Sequence, residues 1–239
     1  MHFRYICPSL GTPLLEEQET PSKTQSLCPL FVGMFDVCTC WSYRQGEGPF
    51  PSWSSWDVRN FLSRKQEEAT ASNVVEHEGY EERTYPARKW VCTSDTGDSE
   101  DENGRDRAMF KRLYKYIRGN NNMHKRLAMA APVTTEVATG DATNTYEMCF
   151  YLGEDHQASP PAPNDQLVTI QDRPQITVFT RTVGGYMRDD EDWLTEAARL
   201  AQILEAGGET FSLDSMYWVG YDAPFKFWHR RNEVWLLKN

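Results

Sequence analysis

No stretch of roughly 18 apolar residues occurs in the 239-residue chain, and its mean hydropathy is −0.66, which excludes a membrane-spanning helix. The six cysteines include no C-x-x-C pair, so the usual spacing of a structural zinc site is missing, and no Asn-x-Ser/Thr sequon is present. Met1 to Gln18 carry one Arg and no apolar core, unlike a secretory signal. These absences point to free thiols in a cytoplasmic protein. Signatures of catalysis are missing too: there is no G-x-S-x-G, H-E-x-x-H, G-x-x-x-x-G-K-[ST] or G-x-G-x-x-G. The five histidines, at 2, 77, 124, 156 and 229, stand apart among polar neighbours instead of forming a ligand set. A net charge of −10 and a pI near 5.0 argue against a nucleic-acid partner, because phosphate binding needs a basic surface.

What is present is a core. Aromatics make up 13% of the chain, with eight Trp and eleven each of Tyr and Phe, which argues against global disorder. The length suits one domain plus an arm. Residues 1–52 are rich in Pro, Ser, Gln and Glu without sustained periodicity and read as a flexible arm, and 53–239 read as the domain. Trp53-Ser-Ser-Trp56 with Val58, Phe61 and Leu62 reads as a short amphipathic turn against the body.

From Glu78 the pattern runs twice. A strand is expected over Tyr80–Thr93, with Pro86 marking an edge or bend. A helix over about Arg105–Arg118, closed by Gly119, carries Phe110, Leu113, Tyr114 and Ile117 on one stripe. Strands near Leu127–Val137 and Thr145–Leu152 follow. In the second pass, Leu167–Val183 holds two strand-like runs broken at Arg173-Pro174. A helix over Asp190–Ala206 aligns Trp193, Ala197, Leu200, Ala201 and Leu204, and strands at Met216–Tyr221 and Glu233–Leu237 close the chain. Three matches share similar offsets: Ala131-Pro132 with Ala223-Pro224 at 92, Glu147 with Glu233 at 86, and Trp90-Val91 with Val178-Phe179 at 88. The expected fold is α+β: an antiparallel, distorted β-barrel of two pseudo-symmetric strand–helix–strand–strand halves, with two long helices.

The charges are unevenly placed. Between Arg105 and Arg126 eight cations face the single acid Asp106, a local net of +7 inside a protein of −10. On a helix, Arg107, Lys111, Lys115 and Arg118 form a stripe beside the apolar one. Apolar surface flanked by cations suits a flat ligand with carboxylates at one edge, with Phe110, Met109 and Tyr114 covering the plane. A solvated helix flank neutralised by the acidic loop 95–102 would give the same pattern. A second cluster, Lys226, His229, Arg230 and Arg231, is interleaved with Phe225, Phe227 and Trp228 between the last two strands, as a mobile lid or as a packed loop. Glu147 and Glu233 begin apolar strands, where a carboxylate is costly unless paired; Arg83, Arg173 and Arg231 are the candidate partners. Cys149, in an apolar run, reads as a small buried hydrophobe.

Several motifs occur in order: Tyr80-Glu-Glu-Arg83, Trp90-Val91, Tyr116-Ile-x-Gly119-x-Asn121, Met129-Ala-Ala-Pro132-Val-Thr134, Pro160-Pro-Ala-Pro163, Gly184-Gly-Tyr186, Gly220-Tyr-Asp-Ala-Pro224 and Arg231-Asn-Glu-Val-Trp235. Together they resemble the SOUL heme-binding protein family over residues 53–239. The resemblance implies the pseudo-symmetric barrel and non-covalent binding of heme, or a metal-free porphyrin, in a hydrophobic groove beside the first helix. It places Arg107, Phe110, Lys111 and Tyr114 at the ligand, and the charge pattern adds Lys226 and Arg230. One branch of the family carries a histidine directly after the Arg of Tyr-Glu-x-Arg as an axial ligand. Thr84 stands there in this chain, so no metal ligand is assigned.

The expectation is thus a cytoplasmic, monomeric, non-catalytic tetrapyrrole binder that buffers or transports its ligand, with no nucleic-acid partner and no stable membrane insertion. Two other readings stand beside it: an interaction module using the second amphipathic helix, and an enzyme on a small amphiphile with Glu147 or Glu233 as base.

Overall fold

Period-two alternation and two apolar-striped helices produce one curled antiparallel sheet with both helices on the same face. The structure, a computed structural model, describes residues 66–96, 102–140, 143–223, 226 and 228–239. The expected arm 1–52, the turn at Trp53–Trp56, and Phe225 and Phe227 lie outside the described residues. The strands are β1 (Asn73–Glu76), β2 (Glu81–Tyr85), β3 (Arg88–Thr96), β4 (Val133–Ala138), β5 (Thr145–Tyr151), β6 (Thr169–Arg173), β7 (Ile176–Val183), β8 (Phe211–Gly220) and β9 (Asn232–Lys238). Helix α1 (Glu102–Ile117) joins β3 to β4, and α2 (Asp190–Gly207) joins β7 to β8. Spatially the order is β1-β2-β7-β9-β8-β4-β5-β3-β6.

That order contains the expected duplication. The units β3-α1-β4-β5 and β7-α2-β8-β9 meet at the β4–β8 pairing. Trp90-Val91 and Val178-Phe179 sit in β3 and β7, and Glu147 and Glu233 sit in β5 and β9, so two of the three matched pairs occupy equivalent strands. The third does not: Ala131 precedes β4, whereas Ala223 follows β8, and that likeness is coincidental.

Other boundaries differ for local reasons. The single strand expected over Tyr80–Thr93 is two, broken at Pro86, whose missing N–H cannot continue a ladder. The strand expected from Leu127 starts at Val133, because Leu127 N–H turns back to Ile117 O and Ala131 N–H goes to Glu67 O. The segment from Glu67 to Ala71 is a strap across the sheet that the sequence did not disclose. Ala69 N–H donates to Ala131 O at 2.8 Å, and Glu67 Oε1 accepts from Glu154 N–H at 2.7 Å.

Alternation sorts the core into two faces. Towards the helices point Val91, Tyr146, Met148, Phe150 and Trp218, packed on Met109, Leu113 and Ile117 of α1. Phe179, Val234 and Leu236 pack on Leu200 and Leu204 of α2. Both leucines are fully buried, each contributing roughly 1.5–3 kcal/mol. Trp193 stacks on Trp218, with ring centroids 5.8 Å apart. Asp189 caps α2 by accepting from Asp192 N–H at 3.0 Å, and Gly208 ends it with φ 74°. The opposite face holds Tyr85, Val178, Tyr217, Val219, Tyr221 and Trp235 in one cluster, and Trp90, Cys92, Cys149 and Tyr151 in another.

Candidate functional site

The basic segment divides between structure and surface. Arg105 is buried where the N-terminal ends of the two helices meet: Nη2 donates to Asp190 Oδ1 at 2.8 Å, and the guanidinium lies 3.5 Å over the Tyr146 ring. Arg112 reaches back to Asp95 at 3.4 Å. Arg107, Lys111 and Lys115 remain exposed along the outward side of α1. Beside them Phe110 is half-buried and Tyr114 is buried at 9% exposure. Their rings stack at 6.0 Å between centroids, and Phe110 meets Phe150 edge-on at 5.2 Å. An aromatic plane fixed from beneath thus carries cations along its rim. Of the expected site residues, Arg107, Phe110, Lys111 and Tyr114 are brought together here.

Lys226 and Arg230 are brought together elsewhere, in the β8–β9 connection, and they act on that connection itself. Lys226 Nζ pairs with Asp222 at 2.6 Å. Arg230 Nη1 donates to the carbonyls of Ala223 and Lys226 at 2.8 and 2.7 Å, and its guanidinium lies 4.4 Å over Tyr186. Asp222 Oδ2 also accepts from Arg231 N–H at 2.6 Å. Of the lid and packed-loop alternatives, these bonds describe the packed loop.

On the face opposite the helices lie the paired carboxylates. Glu233, with no exposed surface, accepts from Arg83 Nη1 at 3.1 and 3.0 Å, Tyr221 Oη at 2.9 Å, Trp235 Nε1 at 2.8 Å and Thr180 Oγ1 at 3.3 Å. Burial works against the Arg83 charge, but Glu233 and Glu81 outweigh it and raise the arginine above its ordinary value. Burial, reinforced by Glu233, likewise raises Tyr221. Four of these five bonds fall on Oε2 and one on Oε1, which holds the carboxylate fixed among its donors and away from solvent. Glu147 accepts from Gln171 at 2.6 Å and Ser94 at 3.2 Å, with Arg173 Nη2 at 3.9 Å. The third candidate partner, Arg231, pairs with Glu68 on the strap.

Two cysteines depart from expectation. Cys92 and Cys149, directly opposite each other on β3 and β5, are joined in a disulfide and completely buried. The free-thiol reading fails for this pair because strand register, which spacing along the chain does not reveal, sets the two Cα atoms 4.1 Å apart. Arg173 Nη2 lies 2.9 Å from Cys149 Sγ. Nearby, a cavity of about 50 Å³ is lined by Ala69, Tyr85, Trp90, Tyr151, Arg173 and Trp235 among others. It has room for a few waters, not a macrocycle.

Histidines contribute no ligand cluster among the described residues. His77 stacks on Tyr80 at 4.5 Å, and burial, with Lys125 nearby, lowers His156.

Comparison with known proteins now decides the family. The profile described as SOUL heme-binding protein matches residues 67–237. The chain belongs to the SOUL family. Relatives of this SOUL chain include Heme-binding protein 2 of Homo sapiens, 36% identical over 165 residues, covering 66% of this chain and 78% of that protein. Heme-binding protein 1 of Mus musculus is 36% identical over 162 residues, covering 66% and 84%. The EcmrR C-terminal domain aligns structurally with a TM-score of 0.47 at 13% identity over 67% of this chain and 96% of that one, too weak a likeness to carry an argument. The SOUL match begins at Glu67, on the strap.

Proposed function

We propose that this SOUL protein binds heme and related tetrapyrroles non-covalently along the outward side of α1, as an intracellular buffer or carrier, not as an enzyme. The observation carrying this reading is the rim of Arg107 and Lys111 beside the stacked Phe110 and Tyr114. A porphyrin presents a flat apolar ring and two carboxylates. The ring would lie on the aromatic plane and the carboxylates would pair with the cations. Bound heme would contribute a redox-active iron; what the chain contributes is the plane, the cations and exclusion of water from one side of the ring. Lys226 and Arg230 serve by shaping the β8–β9 connection.

Axial histidine ligation is not part of this reading. Thr84, at the position where one family branch carries histidine, sits in β2 with Oγ1 3.1 Å from Thr177 Oγ1. Binding then depends on packing and carboxylate pairing, and discriminates poorly between heme and the iron-free ring.

Titration with hemin and with metal-free protoporphyrin tests this. Comparable affinities and no six-coordinate bis-histidine spectrum are expected. Arg107→Ala combined with Lys111→Ala should weaken both ligands about tenfold, roughly 1.4 kcal/mol, without changing the fold. Failure of both ligands to bind would sink the reading. The interaction-module alternative is disfavoured by the α2 stripe, which is spent on the core, and the enzyme alternative by the complete burial of Glu233 among Arg83, Tyr221 and Trp235.

A further inference from the structure

We propose that Cys92 and Cys149 form a thiol–disulfide exchange site whose reduced form is held by the Arg173 guanidinium. The starting point is an arginine whose paired carboxylate, Glu147, stands off at 3.9 Å. Arg173 closes β6 and reaches over the inner face of the sheet, where Nη1 donates to Thr134 Oγ1 at 2.9 Å and Nη2 lies 2.9 Å from Cys149 Sγ. Neither partner is charged while the disulfide is intact. Glu147 turns Oε2 towards it at 3.9 Å while its Oε1 accepts from Gln171 and Ser94, and Glu136 adds a second negative charge in the surroundings. Trp90 and Tyr217 hold the cation at 4.8 and 5.6 Å from their ring centroids, and burial pulls its pKa below the ordinary arginine value. A buried cation in such surroundings gains from a nearby anion. Reduction supplies a closer one: a thiolate on Cys149 turns the neutral contact into a charge-assisted one, against the repulsion of the Glu147 carboxylate, which lies within 4.8 Å of both sulfurs.

The internal duplication offers a comparison within the same chain. Thr180 and Trp235 stand directly opposite each other on β7 and β9, where Cys92 and Cys149 stand on β3 and β5. There the two side chains both donate to Glu233 and no covalent link is present. Where the second half has two donors to a carboxylate, the first half has two sulfurs, one of them in contact with an arginine.

The exchange balances with two molecules of a small thiol such as glutathione. One attacks Cys92 Sγ as its thiolate; the Cys92–Cys149 bond breaks and its electron pair leaves on Cys149 Sγ beside Arg173, the lower-pKa sulfur being the better leaving group. The second thiolate attacks the external sulfur of the mixed disulfide, releasing Cys92. Two thiols are oxidised to one external disulfide, and the protein disulfide is reduced. Of the two thiol protons, one goes to Cys92 and one to solvent. Both sulfurs are completely buried in one cluster with Ala69, Trp90 and Tyr151 and do not line the cavity, so exchange proceeds through local opening of the strap and those rings.

The test equilibrates the full-length protein in glutathione buffers of stepped GSH²/GSSG ratio, alkylates free thiols and quantifies the Cys92 and Cys149 peptides by mass spectrometry. Wild type is expected to be half-reduced at a ratio at least about tenfold lower than Arg173→Gln, about 30 mV, with Arg173→Lys retaining most of that advantage. Equal midpoints for wild type and Arg173→Gln, or no disulfide at the most oxidising ratio, would overturn the proposal. Should Arg173→Gln not fold, the cysteine ¹³Cβ shifts of reduced wild type decide the matter. Cys149 is expected to ionise at least about one pH unit below Cys92, and equal or reversed order would refute the assignment.

Discussion

Glu233 and Glu147 occupy equivalent strands but have different surroundings, and this difference governs what substitution does at each. Removing Glu233 leaves the half-buried Arg83 with one remaining carboxylate, Glu81, and strands the donors of Tyr221 and Trp235. Glu233→Ala is expected to cost about 3–5 kcal/mol in urea denaturation. Glu147 lies nearer solvent, so Glu147→Ala should cost clearly less. That both carboxylates need partners was legible in the sequence, because each interrupts an apolar strand, and two of the three named arginines are those partners. The contact between Arg173 and Cys149 was not legible. It joins β6 to β5 across β3, a relation fixed only once the register is known. The burial of Arg105 was not legible for a similar reason: the sequence counts it among the cations of the basic segment, and only the fold brings it to where two helix ends converge.

At the scale of elements, α2 shows how local chemistry sets an end. Asp189→Ala removes its N-cap and is expected to lower stability by about 1 kcal/mol in thermal or urea unfolding, leaving hemin affinity unchanged. Both helices were legible to within a few residues, since each has an apolar stripe and a glycine at its end. β1 and the strap were not. Every residue of Asn73–Glu76 is exposed, so no periodicity marks it, and β2 pairing alone makes it a strand. The strap is likewise held by backbone bonds to Ala131 and by the Glu67 carboxylate, neither of which leaves an apolar pattern.

Across the whole molecule, buried tyrosines set an alkaline limit. Burial pushes Tyr116, whose hydroxyl donates to Pro161 O at 2.8 Å, up to about 12, and it raises Tyr85, Tyr217 and Tyr221 as well. The unfolded chain releases these protons near pH 10, while the folded chain keeps them. Stability is therefore complete below about pH 10 and falls as pH rises through the folded values. Tyr116 alone corresponds to about 2–3 kcal/mol, so urea midpoints near pH 8 and near pH 11 should differ clearly; unchanged midpoints would contradict this.

The sheet curls without closing, which leaves β1 and β6 each paired on one side only. Amide hydrogens there have a short way to solvent, whereas those of β9, β8 and β4 are flanked by strands on both sides. In deuterium exchange the edges should label through local fraying and the middle only through global opening. The covalent link between β3 and β5 lies one strand in from the β6 edge. Cutting it should therefore accelerate exchange on that side of the sheet and leave β2 and β7 unaltered, so the oxidation state would be recorded as an asymmetry between two otherwise matched halves.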